Sequence, residues 1–125
     1  MILDTNGLSA AAEGDPALEP ILRGAVQLAV PVIVLGEFWY GIHRSRHRTE
    51  YEAWLTEALS DVRILRVDEE TAQWYASIRR ELRRRGRPIP ANDLWIAALA
   101  RQHELPILSR DRHFDAVPRL KRIGW

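Results

Sequence analysis

The sequence predicts an α/β domain, a three-layer α/β/α sandwich with helices on both faces of a sheet. Short apolar runs alternate along the chain with longer segments whose apolar residues recur every three or four positions. That alternation implies right-handed crossovers between strands of one sheet. Acidic residues also stand where several of these runs hand over to the next element. At 125 residues the chain is one domain, 1–125, with room for a single core.

Met1 to Leu3 read as a first strand, ended by Asp4-Thr5-Asn6-Gly7, and Leu8 to Glu13 as a small-residue helix. Asp15-Pro16 offers a helix start with an aspartate cap, and Pro20 keeps that helix short or bent. Ala29 to Leu35 is a continuous β-branched run, the pattern of a strand covered on both faces. Helices follow at Gly36 to His43 and at Thr49 to Leu59, the second with Tyr51, Trp54, Leu55 and Leu59 at helical spacing. Val62 to Val67 forms a third strand. Asp68 then caps a helix with Glu69 and Glu70 in its first turn, arginines in its last and Gly86 as its stop, which suits the helix dipole. Trp74, Ile78 and Leu82 are its expected buried stripe. Pro90 and Asn92 introduce an apolar helix from Asp93 to His103. Pro106 to Leu108 is a fourth strand, and Leu120 to Ile123 a fifth at the sheet edge.

Composition narrows the function classes. There is no cysteine, so disulfides and thiolate metal sites are absent. The longest apolar runs fall short of the roughly 18–20 residues that span a bilayer, and no charged-then-apolar leader precedes Asp4, so a cytoplasmic protein without a membrane association is expected. Net charge is only +1, yet 17 of the 18 basic residues are arginine, grouped at His43–Arg48 and Arg79–Arg87. Arginine presents a planar fork suited to phosphate, while a solvated helix face explains the same pattern without a ligand. Five tryptophans are many for this length; Trp74 and Trp95 fit core positions, and packing explains the set better than base stacking.

Asp4, Glu37, Asp93 and Asp111 carry the functional signal. Three follow strand-like runs and the fourth opens a helix, positions that gather at the carboxyl edge of a parallel sheet. Carboxylates crowded together without basic partners repel one another and call for a cation. Taken singly, each acid also has a structural reading, as a cap, a first-turn charge, a surface pair or a turn. The four histidines show no catalytic pairing, although His113 is two residues from Asp111. A phosphatase reading that starts from Asp4 fails because its second acid would fall at Asn6.

The blocks ILDTNGLS, VLGEFWYGI, ANDLWIAALA and LSRDRHFDAVPRLKRIGW, in this order and spacing, resemble PIN domains, specifically the VapC-type toxins of bacterial and archaeal toxin–antitoxin pairs. The resemblance spans essentially the whole chain. It implies the PIN fold, with a mostly parallel sheet of about five strands, and a metal-dependent endoribonuclease. By motif position Asp4, Glu37, Asp93 and Asp111 match the family's acidic quartet, with Asp4 and Asp93 nearest the metal and Glu37 and Asp111 holding it directly or through water. Thr5, Asn6, Asn92 and Asp115 are supporting positions. Many relatives carry asparagine where this chain has Asp111. The implied cofactor is Mg²⁺, with Mn²⁺ as a substitute, because hard divalent ions take oxygen ligands. Attack by water would leave 5′-phosphate and 3′-hydroxyl ends. The implied partners are an RNA substrate, steered by Arg79, Arg83 and Arg84, a VapB-type antitoxin with its groove at the helices of Leu8–Arg23 and Gly36–Leu59, and a second copy in a homodimer. The alternatives within the fold are a PIN nuclease of RNA processing and a catalytically silent antitoxin-binding module.

Overall fold

Five short strands, each two or three residues long, form one sheet, and their apolar side chains are its interior. A computed structural model describes residues 1–125. The strands are β1 (Ile2–Leu3), β2 (Ala29–Pro31), β3 (Arg63–Leu65), β4 (Ile107–Leu108) and β5 (Arg122–Ile123). The helices are α1 (Thr5–Ala12), α2 (Glu19–Gly24), α3 (Val32–His43), α4 (Arg48–Ala58), α5 (Glu69–Arg84) and α6 (Ala91–His103). The sheet order is β3-β2-β1-β4-β5, and every neighbouring pair is parallel. Strand order therefore reverses at β1. Right-handed crossovers then place α1 to α4 on one face and α5 and α6 on the other, completing the expected three layers.

Ile2, Val30, Leu65, Ile107 and Leu108 are almost wholly buried at the sheet, and Val34, Phe38, Leu55, Ile78, Leu82, Ile96 and Leu99 cover it. α6 is buried along most of its length, as its near-uniform apolarity predicts. No helix is long and apolar enough to cross a membrane.

Several element boundaries differ from the sequence reading, each for a physical reason. The run Ala29 to Leu35 is not one strand: β2 stops at Pro31 and α3 starts at Val32. Val34, Phe38 and Ile42 fall four apart and are all buried, so helical packing overrides the β-preference of the run. Thr5 to Gly7 are already helical, because Asp4 itself caps α1. Asp15 caps a turn rather than a helix, accepting a bond from the Ala17 amide at 2.9 Å. α2 begins only at Glu19, so Pro20 opens the helix instead of bending it. β3 is confined to Arg63–Leu65. Trp74 and Trp95 are half-buried rather than core. Trp74 lies under the Arg101 guanidinium, and Trp95 stacks on Tyr75 at 4.1 Å between ring centres. Thr71 takes the expected place of Trp74 in the buried stripe of α5.

Candidate metal centre

The site is built where β1 and β4 end, at the point of the sheet where strand order reverses. Asp4 follows β1 directly and is 4% exposed. One of its oxygens, Oδ1, accepts the Gly7 amide at 2.8 Å, the N-cap bond of α1. Its other oxygen, Oδ2, accepts a bond from the Ser109 hydroxyl. Gly7 is required for this approach: a Cβ there would stand 3.0 Å from the Leu108 carbonyl and 3.1 Å from Leu3. Burial pushes the Asp4 carboxyl above the ordinary 3.8; the bonds from Ser109 and Gly7 oppose that rise, and the charges of Asp93 and Asp111 add to it.

Ser109 is the residue that the sequence reading passed over. It is fully buried at the end of β4. Its hydroxyl donates to Asp4 and accepts the Asp111 amide at 2.8 Å, so one side chain sets the spacing of two acids. The available signal was a lone polar residue directly after an apolar strand and two before an acid. Asp111 opens a short 3₁₀ turn (Arg112–Ala116), accepting the His113 amide at 2.9 Å. That turn brings the His113 ring back over the cluster, with Nδ1 3.0 Å from Asp111 Oδ1 and 3.3 Å from Asp93 Oδ2.

Asp93 lies in the first turn of α6. Burial raises its pKa, the His113 bond opposes this, and the charges of Asp111 and Glu37 add to the rise. Glu37, on α3, is held by the Thr5 hydroxyl, which donates to Oε1 at 2.9 Å. Thus two of the four carboxylates, Asp93 and Asp111, come together, with Asp4 and Glu37 near enough to act on them through charge. One ligand atom each of Asp93, Asp111 and His113 lies within 4.8 Å of the others. Asp4 and Glu37 are outside that set: Asp4 is buried and engaged by two hydrogen bonds, and Glu37 is held by Thr5.

The chemistry of these donors fits a hard divalent ion. No lysine or arginine pairs with Asp4, Glu37, Asp93 or Asp111; every such pair elsewhere involves other acids. Asp4 and Asp93 are held against their own desolvation and against each other, the condition that a cation relieves. Among the supporting positions, Thr5 touches Glu37, while Asn6 and Asn92 are exposed in the first turns of α1 and α6. Asp115 faces away, in a two-pronged pair with Arg122 at 2.8 and 3.1 Å. Arg122 also donates to the Ser109 carbonyl at 3.0 Å, so Asp115 acts on the site only through that arginine. Arg79 and Arg83 share the rim of one cavity on α5, and Arg84 does not join them. A cavity of about 610 Å³ lies by Pro106 and Lys121 at the opposite end of the strands from the acids.

Comparison with known proteins identifies the family. The PIN-domain profile matches residues 1–120. The chain belongs to the PIN-domain family. This PIN domain is 33% identical over 119 residues to Ribonuclease VapC5 of Mycobacterium tuberculosis, covering 93% of this chain and 86% of that protein. It is 31% identical over 104 residues to Ribonuclease VapC2 of Haemophilus influenzae, covering 82% and 79% respectively. Among solved structures, VapBC2 from Rickettsia felis bound to a DNA fragment from its promoter aligns with a TM-score of 0.85 and 26% identity, over 99% of this chain and 97% of that one. VapBC-5 of M. tuberculosis aligns with a TM-score of 0.78 and 31% identity, over 99% and 97%. Within the family this PIN domain is therefore of the VapC type.

Proposed function

We propose that this VapC-type PIN domain is a divalent-metal-dependent endoribonuclease, the toxin of a type II toxin–antitoxin pair, and that Asp4, Glu37, Asp93 and Asp111 are its reactive centre. The convergence of Asp93, Asp111 and His113 within 4.8 Å, backed by buried Asp4, carries the reading. Mg²⁺ or Mn²⁺ bound there supplies charge neutralisation at the scissile phosphate and lowers the pKa of water. Asp93 and Asp111 are the ligands best placed to hold it. Asp4, already fixed by Gly7 and Ser109, contributes a stationary negative charge from behind. The Thr5 hydroxyl orients Glu37 through one oxygen and leaves acceptor capacity on the other for the attacking water. His113, on the open side, is placed to meet substrate. A VapB-type antitoxin fits as the neutralising partner, since the structural relatives include VapBC assemblies. The groove beside the site, lined by Thr5, Glu37, Phe38, Ile42 and Tyr51, is its proposed seat, and a homodimer is the proposed assembly.

The test is to map new 5′ ends across total RNA after brief expression, with Asp93→Asn as control. Cleavage products ending in 5′-phosphate and 3′-hydroxyl, lost in the variant and in EDTA, are expected. Undiminished cleavage by a folded Asp93→Asn protein, or cyclic phosphate ends formed in EDTA, overturns the assignment.

A further inference from the structure

Two cavities on the carboxylate side of α5 share a wall. The first, about 490 Å³, opens on one of the acids, Asp111: that residue and His113 line it together with Arg87, Arg112, Pro88 and Ile89. The second, about 420 Å³, lies on the far side of Pro88 and Ile89, between α5 and the start of α6. Its floor is Tyr75, Leu82 and Leu94, and Arg79 and Arg83 stand at its rim. The Tyr75 ring is fixed, stacked on Trp95 with the planes 21° apart, and its hydroxyl accepts from Arg79 at 3.0 Å.

The character of the surface changes in one direction along this trough. It runs from Asp111 and His113, past two exposed arginines, to an apolar hollow with a stacked aromatic ring and an arginine rim. A phosphate alone has no use for the apolar floor, and an apolar side chain has no use for the arginines. A nucleotide uses both, its base in the hollow and its phosphates against the cations. The cavity falls within the roughly 300–1,000 Å³ of sites that enclose small ligands. The charged side-chain donors at its mouth are guanidinium forks, which match the O6 and N7 acceptors of guanine.

We propose that the cavity of Tyr75, Leu82, Ile89 and Leu94 is a specificity subsite that takes one unstacked base of the RNA strand, guanine foremost, beside the phosphodiester held at the carboxylates. The proposal rests on the ribonuclease reading for its substrate, and its test separates the two.

Binding is measured by fluorescence anisotropy, in the Asp93→Asn background, with labelled single-stranded RNA hexamers of uridine carrying one guanosine, adenosine or cytidine at each position in turn. Guanosine at one fixed position is expected to tighten binding. Ile89→Trp, which fills the hollow, and Arg83→Gln, a change at an exposed position outside the core, are each expected to lower the guanosine-over-uridine preference roughly tenfold. Equal binding at every position, or a preference unchanged in folded variants, overturns the subsite. Cleavage of the same hexamers by protein retaining Asp93 is followed in parallel. Guanosine-selective binding abolished by the variants, without cleavage by the parent, keeps the subsite and sinks the ribonuclease reading. Cleavage with one pattern in parent and variants does the reverse.

Discussion

At the scale of single residues, the site depends on how Asp4 is held. Its carboxyl is raised by burial and by neighbouring charge, and the Ser109 hydroxyl is the largest influence lowering it. Ser109→Ala removes that bond, so the Asp4 pKa rises further. The acid limb of the pH–rate profile is therefore expected to move to higher pH, with a stability loss of about 1–3 kcal/mol from the acceptor left short of a partner. A limb that stays in place would show that Asp4 does not govern activity. The acids were legible in the sequence because each interrupts an apolar pattern; Asp4, Asp93 and Asp111 do so at a handover between elements, whereas Glu37 lies within α3 because the helix starts at Val32. Ser109 was not, since a serine after a strand has many uses and its two partners lie 105 and two residues away. The approach of His113 to Asp93 was equally hidden, because it depends on a short 3₁₀ turn that has no apolar period.

At the scale of elements, the junctions do more than the strands they follow. β1 is two residues long and passes straight into α1 through the Asp4 cap. Gly7→Ala forces a methyl group towards the Leu108 carbonyl, the end of the neighbouring strand. It is expected to cost about 1–3 kcal/mol and to reduce cleavage, because the β1–β4 contact sets the Asp4–Ser109 bond. Wild-type melting and activity in this variant would show that the junction has slack. The α5 cap is the contrasting case. Asp68 and Thr71 bond reciprocally at 3.0 Å, and Gln102 on α6 donates to Asp68 at 3.0 Å. Asp68→Ala should lower the melting temperature by a few degrees with cleavage per folded molecule unchanged. That cap was readable from Asp68 followed by acids and a distant glycine. The β2–α3 boundary was not, because Val32 to Val34 carry no polar marker and only the burial of Phe38 and Ile42 decides their conformation.

At the scale of the whole molecule, the fold concentrates acids at one end of the sheet at a cost in stability. Asp4 and Asp93 have folded pKa values above the ordinary 3.8. Their contribution to stability is thus fully present below 3.8 and is lost as pH rises through the raised values. At neutral pH the folded protein carries unrelieved repulsion, and a divalent ion should relieve it. Calorimetry at neutral pH is expected to show Mn²⁺ raising the melting temperature of the parent by a few degrees, and EDTA reversing it. Asp93→Asn should melt above the metal-free parent and respond little to Mn²⁺. Equal responses in both proteins would place the ion elsewhere. The sheet itself ends on β5, a two-residue edge strand whose Ile123 carbonyl accepts the Ser109 amide at 2.9 Å while Arg122 grips the Ser109 carbonyl. Every fraying of that edge lets go of Ser109 from both sides. The geometry of the acids therefore has a lifetime, set by how often β5 peels away, and deuterium uptake at the Ser109 amide is its clock.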